Sequence, residues 1–236
     1  FLAGGGTGSI AELVRRERRL EVGARRSLPG SIVEADRGVK GVTVIARPAD
    51  DGPDVVVDFQ RSGLETLQSQ PAGAGTEIDR LRTIDRRGNL ELWAVTEHPR
   101  DRLVVYRRSD RSSDWRLARN SHLFSRGDAA DLRPIDIAIS RGWVYVLCRD
   151  ENDDSDHVVV LDVSSAEPLT DGDGDRLSTS LPAGADALAT NRRGQLIAMA
   201  HGDWTPERVR TVNPLDRTDL RSSRTADVPD GDRHVR

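Results

Sequence analysis

The stretch RPIDIAISRGWVYVLCRDENDDSDHVVVLDV, residues 133–163, decides the fold. Ile135, Ile137 and Ile139 alternate with Asp136, Ala138 and Ser140, the period of two expected of a half-buried strand. Arg141-Gly142 supplies a tight turn, because glycine tolerates the positive φ that hairpin turns demand. WVYVLC and HVVVLDV follow, dense in β-branched and aromatic residues, with the polar loop RDENDDSD between them. The stretch reads strand, turn, strand, loop, strand.

The same order recurs outward in both directions. SIVEAD, VTVIAR, VVVDFQ and LETLQSQ form one unit, and DRLRTI, LELWAV, LVVYRR and WRLARN a second. The opening stretch begins a third, closed by LSTSL. DALAT, QLIAMA, RVRTVN and LRSSRT make a fourth. The turn glycines Gly38, Gly88, Gly142 and Gly194 stand 50, 54 and 52 residues apart. LPG, PAG, PAG and VPDG punctuate the joins between units. Four meandering strands per unit with short turns is the blade of a β-propeller, so the expected class is all-β, in a single domain covering 1–236. The expected blades are 31–70, 79–120, 135–181 and 186–222.

The termini support two readings. Residues 1–27 supply a short strand, a Gly-rich turn and two further strands, and the tail 228–236 starts as the other units start. Together they would complete a further blade, giving about five, or part of a larger propeller, and leaving no open edge. The alternative is a helix opening with the capping box Ser9-x-x-Glu12, carrying Ile10, Leu13, Val14 and Leu20 on one face. GGGTGS resembles the phosphate loop of tubulin-like GTPases, and amides before a helix N-terminus would suit a phosphate.

Composition bounds the function. The chain has 236 residues, a net charge of −4 and 4% aromatics, so the core must rest on Val, Ile, Leu and Ala. The negative balance argues against general nucleic-acid affinity. No apolar run reaches the roughly 18 residues of a membrane span. The single Cys148 excludes an intrachain disulfide. Phe1 in place of a methionine points to a processed chain or a fragment. The expected setting is extracytoplasmic, at a cell surface or within a larger assembly.

Three groups of residues could carry chemistry. Asp171, Asp173 and Asp175 alternate with glycine and could present three oxygens to Ca²⁺, or form a solvated acidic turn. Asp136 and Asp186, with Asp79, begin first strands, where carboxylates could ring a channel mouth and hold a metal, or could satisfy backbone N–H groups. The third group is basic. Arg-Gly recurs in the first turn of all four units, placing Arg86, Arg87, Arg141, Arg192 and Arg193 on the face opposite the acidic loops. Arginine captures carboxylate or phosphate in a bidentate manner, so this face could dock an acidic protein partner or a neighbouring subunit. Trp204, in the loop HGDWTPE, could stack on the same partner or on a sugar.

Pro134, Asp136, Ile137, Ala138, Gly142, Tyr145 and Val146 form a phrase that resembles the repeats of NHL, YncE and SMP-30/gluconolactonase-like propellers. The resemblance implies a propeller. It also implies, by way of the lactonase-type members, a divalent cation held by channel-mouth carboxylates and an asparagine. Asn191 and Glu34 lie towards the opposite ends of their strands, so that constellation is incomplete here. Two functions follow from the sequence: a non-catalytic interaction scaffold, and as alternative a Ca²⁺-dependent sugar or lactone hydrolase.

Overall fold

The structure, a computed structural model, describes residues 2–5, 8–38, 41–60, 66–71, 76–86, 89–98, 102–109, 114–121, 132–140, 142–170, 178–181, 184–190, 196–200 and 210–212. The chain divides into two units, Phe1–Ser121 and His122–Arg236. Every sheet is an antiparallel meander in which strands neighbour one another in chain order.

Among the described residues the first unit holds three sheets. β1 (Leu2–Gly5), β2 (Ser9–Arg16) and β3 (Arg19–Ser27) form the first. β4 (Ser31–Gly38), β5 (Gly41–Arg47), β6 (Val55–Gln60) and β7 (Thr66–Pro71) form the second. β8 (Glu77–Arg86), β9 (Asn89–His98), β10 (Arg102–Arg108) and β11 (Arg116–Ser121) form the third.

Among the described residues the second unit holds two. β12 (Leu132–Ser140), β13 (Trp143–Asp150), β14 (Asp156–Asp162) and β15 (Ser178–Leu181) make a four-stranded sheet. β16 (Ala185–Thr190), β17 (Leu196–Ala200) and β18 (Arg210–Val212) make the last.

One irregularity repeats. The first strand of each of the last four sheets carries an extra residue near its start: Val33, Asp79, Ile135 and Asp186. Such a bulge sharpens the local twist and re-aims the side chains that follow it.

The apolar runs follow from burial on both faces. In β5 and β6, Val44 and Val57 join Ile10 and Phe59 in one core. Their neighbours Ile45 and Val56 join Ile78, Leu81, Leu92 and Trp115 in another. The second sheet is thus sandwiched between the first and third, so its strands read as continuous hydrophobic runs. In the second unit Tyr145, Leu147, Val158 and Val160 pack on Leu188, Leu196 and Ala198. Each side chain of this size stabilises the fold by about 1.5–3 kcal/mol when fully buried.

The helical reading of Ser9–Leu20 fails. Those residues form the β2–β3 hairpin, turned at Glu17 (φ 55°) and Arg18 with Arg16 opposite Arg19. A helix needs a buried stripe, yet of the four apolar residues only Ile10 reaches the core, at 3% exposure, while Leu20 is 60% exposed. The phosphate-loop reading falls with the helix. Gly8 (φ 68°) instead accepts the Leu28 N–H at 2.6 Å, and a Cβ on Gly8 would come within 2.5 Å of the Gly30 carbonyl. The tail, expected to complete this sheet, lies outside the described residues.

Candidate functional site

Two matching ion pairs tie neighbouring sheets together. Arg47, the last residue of β5, donates from Nε to Asp54 Oδ1 at 3.0 Å and from Nη2 to Oδ2 at 3.2 Å. Asp54 Oδ2 also accepts the backbone N–H of Ile78 on β8 at 2.6 Å, while Arg47 Nη2 reaches the Ile78 carbonyl at 3.4 Å. The second unit repeats the device. Arg149 Nε donates to Asp156 Oδ1 at 3.1 Å, Asp156 Oδ2 accepts the Ala185 N–H at 2.7 Å, and Arg149 Nη2 reaches the Ala185 carbonyl at 3.4 Å. In each case an arginine and an aspartate close on the peptide group that opens the next sheet. The hydrogen bonds to Asp54, and less so the charges of Glu77 and Asp79, hold the Arg47 guanidinium above its already high ordinary value, against the opposing pull of burial.

In the third sheet Val95 and Leu103, both buried, stand opposite one another at the register positions that Ile45 and Val56 hold in the second. Pro134, at the register position of Ile78 and Ala185, has no N–H to offer a carboxylate.

First-strand carboxylates serve the same purpose. Asp136 is 1% exposed; its Oδ1 accepts the Ile137 N–H at 2.8 Å and its Oδ2 the Leu188 N–H at 2.7 Å. Asp36 Oδ2 takes both the N–H and the hydroxyl of Thr83, at 2.6 and 2.8 Å. Asp79 and Asp186 occupy the bulge itself, one register step before Asp136, and both are half-buried. Glu34 lies 3.9 Å from Arg80 Nε. The three aspartates that looked equivalent in the sequence therefore stand at two different register positions.

Further charge is buried within the first unit. Asp58 accepts the Thr43 hydroxyl at 2.6 Å and the Trp115 Nε1–H at 3.3 Å, and pairs with Arg108 Nη1 at 2.9 Å. The Arg108 guanidinium lies 4.3 Å from the Trp115 ring centroid, a cation–π contact. Glu91 accepts Arg107 Nε at 3.0 Å and Trp93 Nε1–H at 3.3 Å.

Asp150, Asp153 and His157 form a group that sequence reasoning did not single out. Among the described residues these three could each offer a ligand atom to a metal ion, and the atoms lie within 4.8 Å of one another. The loop holds them together: Asp150 Oδ1 accepts the Asn152 N–H and Asp153 Oδ1 the Ser155 N–H, both at 2.8 Å. Ser155 Oγ lies 2.7 Å from His157 Nε2, and Ser180 Oγ 3.4 Å from Nδ1. Hydrogen bonds from Ser155, side chain first and then backbone, hold the Asp153 carboxyl below the ordinary carboxylate range. The spacing Asp-x-x-Asp-x-x-x-His across a tight loop between two strong strands was the available signal.

Of the other residues picked from sequence, Arg86 ends β8 opposite Asn89. Arg87, Arg141, Arg192, Arg193, Trp204, Asp171, Asp173, Asp175 and Asn191 lie outside the described residues. No helix among the described residues is long and apolar enough to cross a membrane.

No family model matches the chain, and no curated protein matches its sequence. Solved structures do match. Hydrazine synthase of Kuenenia stuttgartiensis is 10% identical and aligns over 89% of this chain and 66% of that one, with a TM-score of 0.56. Sqt1 of Saccharomyces cerevisiae is 11% identical over 94% and 68%, with a TM-score of 0.53. Hsv2 of Kluyvelomyces marxianus is 9% identical over 91% and 59%, with a TM-score of 0.48. The chain spans about three-fifths to two-thirds of the length of these matches. At such identities the likeness speaks for the fold alone: an all-β chain of antiparallel blades with the β-propeller architecture.

Proposed function

We propose that this chain is a non-catalytic interaction module, an extracytoplasmic propeller that binds a protein partner or neighbouring subunits through one loop face. The fold hosts binding modules and hydrolases alike, so side chains must choose between them. The observation that carries the reading is the recurrence of Arg-Gly at 37–38, 87–88, 141–142 and 193–194, once in each unit of the sequence repeat. Four copies of one basic turn present a planar, multivalent donor set suited to carboxylates or phosphates. Among propellers, the Pro134–Val146 phrase keeps its resemblance to NHL, YncE and SMP-30-like repeats.

The hydrolase reading draws on Asp186, on Asp171, Asp173 and Asp175, and on the loop group around His157. Asp136 counts against it, since both of its carboxylate oxygens are engaged by backbone N–H groups.

The test is retention of the protein on immobilised polyglutamate in a salt gradient. Replacing Arg86, Arg87, Arg192 and Arg193 with serine should bring elution to markedly lower salt. Unchanged elution would reduce the basic turns to solvated surface. Saturable Ca²⁺ binding by calorimetry, lost in Asp186→Asn, would favour the hydrolase.

A further inference from the structure

We propose that the β2–β3 hairpin is a docking edge for an extended acidic segment of another protein, which adds to β3 as a further strand. Four features of the first unit converge here. β3 is the terminal strand of its sheet and, among the described residues, pairs with β2 alone. All nine of its residues are exposed. Residues 15–26 hold six arginines (15, 16, 18, 19, 25 and 26) against Glu17 and Glu21, in a chain whose net charge is −4. Leu20 and Val22, 60% and 52% exposed, are two of the three large hydrophobic side chains left in water among the described residues.

The geometry selects the chemistry of the partner. Leu20 and Val22 stand two residues apart and so share one face of the strand, beside Arg15 and Leu13, their register partners on β2. A strand added along β3 would cover that apolar pair with alternate side chains and take up the outer row of N–H and C=O groups. Edge arginines normally deter pairing, because a neutral or basic strand would strip them of water without replacing it. An acidic strand meets them with opposite charge across the ladder, and such pairs stabilise a sheet. Nucleic acid fits less well. The hairpin carries no aromatic residue on which a base could stack, and a sugar-phosphate chain leaves the peptide edge unpaired. The site stands on the first unit alone and is independent of the basic turns.

The experiment uses the full chain and a fluorescent peptide of roughly ten residues in which glutamate alternates with valine, long enough to run alongside a strand of ordinary length. Fluorescence anisotropy should show saturable binding. Methylating every second backbone nitrogen of the peptide should abolish it, since charge and side chains are unchanged but the ladder cannot form. Leu20→Ser with Val22→Ser should weaken binding about tenfold through lost apolar cover. Arg19→Ser with Arg25→Ser should flatten its salt dependence. Circular dichroism of each variant reports whether the hairpin still folds, and the methylated peptide tests the idea on the unaltered protein. Equal binding of the methylated peptide would overturn the proposal. So would tighter binding of a single-stranded oligonucleotide or of phosphatidylserine vesicles. Loss of the peptide in the turn-arginine variant, with the hairpin variants silent, would move acid recognition to the turns and overturn it equally.

Discussion

The Arg47–Asp54 pair offers a test of how the sheets are held together. Asp54 is fully buried, whereas the Arg47 side chain keeps 33% of its surface in water. The two halves of the pair are therefore unequal. Arg47→Leu leaves a buried carboxylate with the Ile78 N–H at 2.6 Å. Breaking a buried pair in this way costs about 3–5 kcal/mol, and water at the vacated rim brings the figure to about 3. Asp54→Asn keeps an oxygen for the Ile78 N–H and leaves a guanidinium that still has Glu77 at 3.8 Å and Asp79 at 3.9 Å. Its cost is that of a charge-assisted hydrogen bond at a partly solvated site, about 1–2 kcal/mol. The double variant Arg47→Val, Asp54→Leu replaces the whole pair by apolar side chains. It removes both charges and takes these partners from the Ile78 N–H and carbonyl, so it should cost about 1–3 kcal/mol, less than Arg47→Leu alone. Urea unfolding followed by tryptophan fluorescence measures all three, because Trp93 and Trp115 are buried in the same unit. The slope should hold while the midpoint moves. Asn at position 54 costing as much as Leu at 47, or a double variant worse than Arg47→Leu alone, would refute the reasoning.

Two further outcomes follow from the carboxylates. Asp136→Ala should cost about 2–4 kcal/mol, because it orphans the Ile137 and Leu188 N–H groups in a site 1% exposed; a loss under about 1 kcal/mol in the same urea melts would show that water reaches them. Asp153 should stay ionised to lower pH than a free aspartate, since Ser155 donates to its charged form. A depressed folded value means that its contribution is present above the unfolded pKa and disappears as pH falls through the folded one. Carboxyl-carbon NMR should follow that titration, and Ser155→Ala should move it upward; no movement would remove the Ser155 hydroxyl as the cause.

The strand order was legible because both faces of the middle strands are buried. VTVIA and WVYVLC read as solid apolar runs for that reason, and the Gly turns mark where each run reverses. The hairpin at residues 9–27 was less legible. β3 buries neither face and β2 only Ile10, so neither carries a periodic signal, and a chance capping box at Ser9 and Glu12 imitated a helix start. The bulges were invisible for a different reason. An extra residue leaves the alternation intact on either side and shifts only its phase, so Asp79, Asp136 and Asp186 looked equivalent when only Asp79 and Asp186 are. The Arg–Asp clamps did leave a trace, Arg-x₆-Asp at 47–54 and at 149–156, but both aspartates read as ordinary loop acids. Their role shows only when the opening strand of the next sheet is brought alongside.

That bookkeeping of carboxylates bears on the choice between scaffold and hydrolase. A catalytic or metal-binding carboxylate needs an oxygen that substrate, water or ion can reach. The buried acids Asp54, Asp58, Glu91, Asp136 and Asp156 instead each hold a backbone N–H, a hydroxyl, an indole or a guanidinium of the same or the adjoining sheet. All but Glu91 reach across to the adjoining sheet, at edges where peptide groups would otherwise stand unpaired. A chain with 4% aromatics and a core of small aliphatic side chains gains comparatively little from apolar contact between neighbouring sheets. Directional bonds from carboxylate to peptide then supply the register that packing alone would leave loose. On this argument the acids inside the sheets belong to the fold. The proposed recognition accordingly rests on the arginines at the turns and along the β2–β3 hairpin.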